Sequence, residues 1–199
     1  MPIIFDTLIT KGVRAGQIPA RTAEAREWYR NTAKGIRSLS EKKLMSADPS
    51  RHTAEPTLGS MYLFEYDPKH KETLPFYDRF PLIFPYKNVK GGFMGLNLHY
   101  LPLQLRARLM DGLYEYANNQ RYDETTKIRM NYELLRRAGS LKFFEPCVKH
   151  YLTQHVRSKF VYVYPSEWDI ALFLPVERFE KQSKTAVWAD SKSKLGIRR

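Results

Sequence analysis

Residues 80–100 read Phe80-Pro-Leu-Ile-Phe-Pro-Tyr-Lys-Asn-Val-Lys-Gly-Gly-Phe-Met-Gly-Leu-Asn-Leu-His-Tyr100 and hold two aromatic-rich runs on either side of a turn. Runs of this composition favour strands. The Gly91-Gly92 pair allows the positive φ angles that a tight connection needs, so the pattern predicts an antiparallel hairpin. Because proline cannot donate to a strand ladder, Pro81 and Pro85 predict that the first run is an edge strand or an interrupted one.

A third β-prone run, Met61 to Tyr66, precedes the hairpin and ends at the turn-forming pair Asp67-Pro68. Three short antiparallel strands of this kind favour a small, strongly curved sheet or an SH3-like half-barrel over a flat open sheet. We expect this sheet to form the first part of the core.

The apolar period changes after Pro102, which suits the first turn of a helix. The helix is predicted by three leucines that are spaced by four, Leu105, Leu109 and Leu113. A second helix is expected from Asp123 to Arg137, closed by Gly139. A third is expected to begin at Pro146, on the spacing of Val148, Leu152 and Val156.

One more strand is predicted from Phe160 to Tyr164, where apolar residues alternate. Ser166-Glu-Trp-Asp169 matches a capping box before a short helical run, Ile170 to Leu174. Because a run of strands is followed by a run of helices, the fold class predicted is α+β.

The first strong helical pattern runs from about residue 22 to residue 44, with Thr22 as its cap. Its apolar stripe is Trp28, Thr32 and Ile36, with Ala25 and Leu39 on the same side. Four cations fall on another face, Arg26, Arg30, Lys34 and Arg37. This basic ridge is either a solvated helix face or a surface that follows a phosphate backbone, and its replacement by Gln is expected to leave the melting temperature nearly unchanged.

Residues 46–60 contain two prolines and few apolar residues, which is typical of a linker. The organisation predicted is an N-terminal basic helical arm and linker over 1–60, an α+β core domain over 61–180, and a basic C-terminal tail over 181–199.

Charge is the strongest compositional signal, because 33 Lys and Arg face 21 Asp and Glu among 199 residues and give a net charge of +12. Nucleic acid, an anionic membrane and an acidic protein would all attract such a chain. No segment approaches the ~20 apolar residues of a membrane span, and no secretory signal is visible at the N-terminus. The single cysteine excludes a disulfide framework and sites built from several thiolates.

The sequence lacks the motifs that usually mark an active site, such as a phosphate-binding glycine loop or a His-Glu-x2-His pair. His150 and His155 are five apart and so do not share a helical face. Glu65 and Asp67 resemble a metal-dependent nuclease site only loosely, and Cys147 has no obvious base. We therefore predict no catalytic residues, no metal and no cofactor.

Cations of the predicted helical region complete the candidate binding set. If these helices pack through their apolar faces, the cations are forced outward and gather on one surface. They are Arg106, Arg108, Lys127, Arg129, Arg136, Arg137, Lys149, Arg157 and Lys159. Aromatic stacking partners for unpaired bases are expected nearby, at Tyr151, Tyr162 and Tyr164. Contacts of this kind would bind phosphates without reading sequence, and a packing surface for an acidic neighbour would look the same.

Four stretches carry a family resemblance: Leu74-Pro-Phe-Tyr-Asp-Arg-Phe-Pro-Leu-Ile-Phe-Pro, Gly91-Gly-Phe-Met-Gly-Leu-Asn-Leu-His-Tyr-Leu-Pro, Pro146-Cys-Val-Lys-His-Tyr-Leu-Thr and Ser166-Glu-Trp-Asp-Ile-Ala-Leu-Phe-Leu-Pro. From about Met61 to Trp188 the chain resembles small proteins of T-even-like tailed bacteriophages, in particular the DNA end protector proteins. The resemblance implies a virion protein that sits on the ends of packaged DNA and shields them from host exonuclease. No catalytic residues come with it.

Two functions therefore stay open at this point. The first is a non-enzymatic virion protein, made in the host cytoplasm, that caps or coats DNA through phosphate contacts. The second is a structural subunit of the neck, tail or baseplate that docks on acidic neighbours within a multi-subunit assembly. A magnesium-dependent nuclease is a minor third possibility, and no membrane partner is expected.

Overall fold

The computed structural model describes residues 3–19, 22–117, 132–137 and 142–197. Strands and helices of this part of the chain form one antiparallel six-stranded sheet, one two-stranded sheet and a set of helices. The predicted α+β class is confirmed. In the described residues, no helix combines the length and apolar character that crossing a membrane requires.

The helices are α1 (Ile4–Arg14), α2 (Ala23–Lys34), α3 (Glu41–Ser46), α4 (Leu103–Ala117), α5 (Trp168–Phe173) and α6 (Lys184–Lys194). Residues 132–137 are also helical, and they belong to the predicted helix Asp123–Arg137, whose earlier residues lie outside the described part of the chain. Thr22 caps α2 as predicted, since its hydroxyl accepts a hydrogen bond from the Ala25 amide.

The strands are β1 (His52–Thr53), β2 (Met61–Leu63), β3 (Tyr77–Asp78), β4 (Leu82–Val89), β5 (Gly92–Asn97), β6 (Val148–Leu152), β7 (Phe160–Val163) and β8 (Phe179–Glu180). The main sheet has the order β1-β7-β2-β4-β5-β6, and β3 pairs with β8 in a separate ribbon. Strands β1 and β6 are the two edges and do not pair with each other, so the sheet is open and the SH3-like half-barrel is not confirmed.

Alternation along the strands separates two apolar layers. One face packs on the helices and includes Leu63, Phe84 and Leu96 in the main core. The other face carries a smaller aromatic cluster, in which Phe64 and Tyr151 lie edge to face with ring centroids 5.3 Å apart. The members of this second cluster come from the strands and the residues directly after β2, so on this face the side chains of the sheet bury one another.

The predicted hairpin is present as β4 and β5, with Gly91 at φ +79°. Of the two alternatives predicted for its first strand, the edge position is wrong, because β4 is paired on one side with β2 and on the other with β5, and the interruption is present as a register shift. Pro85 is accommodated by a bulge, since the register shifts between Pro85 and Lys87.

The third predicted helix is also wrong. The segment after Pro146 forms the edge strand β6, which pairs with β5 from Gly92 to Leu96. A side chain at Gly92 would collide with the backbone of Tyr151, so this glycine permits the close approach. The aromatic ring of Tyr151 gains burial in the strand, and this tertiary contact overrides the helical spacing of the apolar residues.

The long N-terminal helix is interrupted, because α2 ends before Gly35 and α3 starts at residue 41 with Ser40 as its cap. The N-terminus and the C-terminal segment each contribute to the main core, for example through Phe5, Tyr29 and Val187. The division of the chain at residues 60 and 180 stays a prediction.

Candidate functional site

The predicted basic ridge is split by the packing of α2. The buried side of this helix carries Ala25, Tyr29, Arg30 and Ala33. Of the predicted stripe, Ala25 is buried, and Trp28, Ile36 and Leu39 pack against the main core while staying partly exposed. Arg30 is 5 % exposed. The expectation that all four ridge cations face solvent is therefore wrong.

Arg30 is held inside the molecule by two carboxylates. Its Nε donates to Asp169 Oδ1 at 2.6 Å and its Nη2 donates to Asp111 Oδ1 at 2.7 Å. Burial raises the pKa of Asp169, and the Arg30 charge opposes that effect. Arg26 lies beside the same group, with its Nε 3.5 Å from Asp111. These two arginines join α2 to α4 and α5.

Lys34 and Arg37 remain exposed. The Lys34 ammonium lies 4.9 Å from the ring centroid of Phe173, and the described residues provide no carboxylate partner for it. Lys11 of α1 lines a groove together with Gly35 and Ile36, next to these two cations. Exposed cations therefore lie in the last turns of α1 and α2 and just after α2, and we call this set the α1–α2 edge: Lys11, Arg14, Lys34 and Arg37.

Arg106 is fully buried, contrary to the expectation that the helical cations face outward. Its guanidinium donates to the carbonyl oxygens of His99, Leu101 and Leu172 at 2.7–3.1 Å. Burial lowers the pKa of Arg106 to about 10, so the side chain stays charged at pH 7. This arginine connects α4, α5 and the turn after β5, and it is not available to a partner at the surface.

The other predicted cations have different surroundings. Arg108 and Lys159 are exposed, Arg136 is exposed and pairs with Glu133 at 2.9 Å, and Arg137 is exposed on the same helical segment. Arg157 is exposed and contacts Asp67 at 3.4 Å. Lys127 and Arg129 lie outside the described residues.

Lys149 is mostly enclosed and lies in a cleft of about 290 Å³ beside the edge strand β6. Its ammonium is 4.0 Å from the ring centroid of Tyr100. Phe76 and Tyr77 also line this cleft, and Lys69 lies on its outer side. Removal from water lowers the pKa of Lys149 to about 8. The cleft therefore places the Lys149 ammonium beside several aromatic side chains.

The three predicted stacking tyrosines do not form one platform. Tyr151 is 4 % exposed and accepts a hydrogen bond from Asn97. Tyr162 packs edge to face on Tyr164, with ring centroids 5.0 Å apart. Tyr164 is 44 % exposed, and the Arg51 guanidinium lies 4.5 Å from its ring centroid.

The acidic pair considered for nuclease chemistry is neutralised by neighbouring cations. Glu65 accepts from Arg79 at 3.0 Å, and Asp67 accepts from Lys71 at 3.0 Å. The hydrogen bond from Lys71 lowers the pKa of Asp67. Over the described ranges, no group of three or more metal-ligating side chains lies close enough to hold an ion.

Two other reactive groups are enclosed in the core. His99 Nδ1 lies 2.7 Å from Asp78 Oδ2, and both side chains are at most 1 % exposed. The Cys147 thiol donates to the carbonyl oxygen of Phe144 at 3.0 Å, and burial raises its pKa to about 12. The His99–Asp78 contact joins β3 to the turn after β5, and the thiol contact is local.

Comparison with known families gives a match over most of the chain. A family model described as phage T4 terminal DNA protecting protein matches residues 8–193. The chain belongs to this family. The match of the terminal DNA protecting protein family begins in α1 and ends in α6, so it includes the α1–α2 edge and the cleft around Lys149. The resemblance to the DNA end protector proteins is thereby confirmed. No curated protein and no solved structure matches the chain.

Sequence reasoning missed several residues of these two surfaces. Lys11 and Arg14 lie on α1. The spacing of Phe5, Leu8 and Gly12 is a helical signal, but the apolar run at the N-terminus is short and this helix was not predicted. Phe76 and Tyr77 lie in the stretch that carried the family resemblance, but their place in the cleft depends on contacts with β6 that are remote in sequence.

Proposed function

We propose that this protein binds the ends of linear phage DNA within the virion and shields them from exonucleases without catalysing a reaction. Membership in the terminal DNA protecting protein family supports a role at DNA ends. The binding would use non-sequence-specific phosphate contacts made by exposed cations.

The observation that carries this proposal is the surplus of exposed cations that have no ion-pair partner in the described residues. Apart from Lys181, whose ammonium donates to backbone carbonyl oxygens, they are Lys11, Arg14, Lys34, Arg37, Lys42, Lys43, Lys69, Lys87, Lys90, Arg108, Lys159 and Lys192. The exposed acids without such a partner in the same ranges are fewer, Glu24, Glu27, Glu55, Glu72 and Glu145. Such a surface attracts a polyanion and has cations free to replace the counterions of DNA.

The α1–α2 edge is the part of this surface that we assign to the DNA backbone. Lys11, Arg14 and Lys34 lie on two helices that pack on each other through Gly12 and Tyr29, and Arg37 follows the second helix. Tyr29 donates to the Gln17 carbonyl at 3.0 Å, which fixes the turn between the helices. The exposed members of the predicted set, Arg108, Arg136, Arg137, Arg157 and Lys159, would extend the contact.

A gel-shift experiment with one DNA sequence in blunt linear and closed circular form tests the proposal. Preference for the linear form, and protection of that form from a duplex exonuclease, are expected. Affinity should fall steeply between about 50 mM and about 200 mM salt, because phosphate contacts release counterions. Equal binding of both forms with no protection would overturn end binding.

The alternative is a structural subunit of the neck, tail or baseplate that docks on acidic neighbours. Exposed apolar side chains favour it, since Val13 is 55 % exposed and Ile18 is 50 % exposed near the cations of α1. This function requires a fixed copy number in purified particles and negligible affinity for free DNA. The gel shift and quantitative mass spectrometry of virions separate the two.

A further inference from the structure

The cleft beside β6 contains a cation whose charge is not balanced by a bonded partner. No carboxylate or hydrogen-bond acceptor contacts the Lys149 ammonium in the described residues, which leaves the Tyr100 ring as its neighbour. Lys149 is partly buried, and partial burial of an ammonium is unfavourable unless an anion or acceptor compensates it. The low pKa of Lys149 has the same physical cause.

Asp78 also lines the cleft, but its carboxylate is already used. Its Oδ1 accepts from the amides of Phe80 and Arg178, and its Oδ2 accepts from Asn97 and contacts His99. The residue as a whole is 3 % exposed. It therefore does not serve as the partner of Lys149, and the position beside the ammonium suits an anion from outside.

The remaining walls are aromatic. Phe76 and Tyr100 lie with their ring centroids 6.0 Å apart and their planes 35° apart. Phe76 and Tyr77 are half-buried, so part of each ring is open to the cleft. A cavity of about 290 Å³ is at the small end of ligand sites and has room for one unpaired nucleotide rather than a duplex. Aromatic rings bind any base by stacking.

The outer wall of the cleft is fixed by Lys181. This residue adopts φ +70°, and its ammonium donates to the carbonyl oxygens of Lys71, Glu72 and Leu74. A left-handed conformation is unusual for a non-glycine residue and persists only when its surroundings enforce it. The segment that carries Lys69 and His70 is therefore held in place against the cleft.

We propose that this cleft receives the terminal nucleotide of a DNA strand, with its phosphate at Lys149 and its base against Phe76 and Tyr77. Lys69 and His70 line the cleft and are exposed, so the next phosphate would pass beside them. The inference rests on the proposed function and adds the part of the protein that distinguishes an end from the middle of a duplex. It assigns the α1–α2 edge to general backbone contact and the cleft to the end.

The test compares a blunt duplex bearing a terminal 5′-phosphate with the same duplex bearing a 5′-hydroxyl. The full-length chain is expected to bind the phosphorylated end about 10- to 100-fold more tightly, the range for a hydrogen bond to a charged group. Lys149→Met keeps the aliphatic stem over Tyr100 and removes the charge, so this preference should fall to about one. Lys90→Met is the matched control, because Lys90 is exposed at the β4–β5 turn and has no ion-pair partner in the described residues.

Two further arms identify the ligand. Deoxyadenosine monophosphate and inorganic phosphate are titrated as competitors, and competition by the mononucleotide alone would mean that the base contributes. A photoreactive pyrimidine at the terminal position of the duplex should crosslink to the peptide that contains Phe76 and Tyr77. This experiment uses the unmodified protein, so its result does not depend on the stability of the Lys149→Met variant. Crosslinks to other peptides would overturn the proposal.

The outcomes separate the two proposals. If linear DNA is bound and protected but Lys149→Met keeps the full preference for the phosphorylated end, the cleft assignment is wrong and the proposed function stands. If linear and circular DNA are bound equally or not at all, the proposed function is wrong, and the cleft assignment that rests on it is wrong as well.

Discussion

Arg30 Nε lies 2.6 Å from Asp169 Oδ1 in the buried contact between α2 and α5. The side chains of both residues are at most 6 % exposed. An arginine that sequence periodicity places on a binding ridge therefore holds two helices together. Its bond to Asp111 extends the contact to α4.

Replacement of Arg30 by Gln is expected to reduce the free energy of unfolding by about 3–5 kcal/mol, because it leaves Asp169 buried without its cation. Arg37→Gln, at an exposed position of the α1–α2 edge, should change stability by less than about 0.5 kcal/mol. Urea unfolding of both variants measures the difference. Equal stabilities would show that the buried pair contributes nothing net. The quadruple Gln replacement of the ridge therefore tests stability as well as DNA binding, contrary to the sequence-based expectation.

The helical face of α2 shows why the sequence predicted the element but not its orientation. Trp28, Thr32 and Ile36 make an apolar stripe, but Tyr29 and Ala33 make another one position along the helix. The second is buried because Tyr29 reaches α1. Helix and strand positions in the central part of the chain were predicted well, since their local patterns agree with the packing.

Long-range pairing accounts for the elements that the sequence misplaced. Pro85 fits a central strand because a bulge absorbs it, and the segment after Pro146 forms a strand because β5 offers it a backbone partner. The spacing of apolar residues within a segment does not show which strands will pair with that segment. The cleft depends on the same strand, so its residues could be recognised as aromatic or basic but not as adjacent.

The α1–α2 edge is expected to govern the salt dependence of DNA binding. Changing Lys11, Lys34 and Arg37 to Gln should reduce the slope of log affinity against log salt by about 0.9 for each phosphate that the protein no longer neutralises. The control changes Lys87, Lys90 and Lys192 to Gln, which removes the same charge at exposed positions outside the proposed contact. Equal reductions in both variants would show that net charge, rather than this edge, sets the affinity.

Leu109→Ala is expected to reduce stability by about 2–5 kcal/mol, because Leu109 is buried in the main core on the inner face of α4. Thermal unfolding followed by circular dichroism measures the loss. DNA affinity below the unfolding transition should be unchanged. A loss of affinity in the folded variant would show that the core packing of α4 shapes the binding surface.

The pH dependence of stability should reveal the cost of enclosing Lys149. Its pKa falls from 10.5 to about 8 in the folded chain because of burial. The nearby charges on α6 act in opposite directions, since Asp190 raises this pKa and Lys194 lowers it, while the Cys147 thiol stays neutral in this range. Because the unfolded chain binds the proton more tightly, stability is reduced below pH 8 and recovers as the pH rises from about 8 to about 10.5.

Lys149→Met should therefore be more stable than the unmodified chain at pH 7, by about 1–3 kcal/mol, and this advantage should shrink toward pH 10. Urea unfolding at both pH values measures it. A variant that is less stable at pH 7 would show that the ammonium has a stabilising partner in the free protein, which would also weaken the case for an external anion.

Lys181 should act on DNA ends only through the segment that it holds. Lys181→Met removes the ammonium that binds three backbone carbonyls, and the amides of residues 71–74 are then expected to exchange hydrogen about tenfold faster, since a charged donor is removed. The preference for a phosphorylated end should decrease, because the wall of the cleft is no longer fixed. The control is Lys192→Met, which changes an exposed lysine of α6. The affinity of Lys181→Met for circular DNA should fall no further than that of this control.

If amide exchange accelerates and the preference is unchanged, the position of residues 68–74 does not matter for end recognition. If the preference disappears without faster exchange, Lys181 contacts DNA directly and is a binding residue rather than a positioning one.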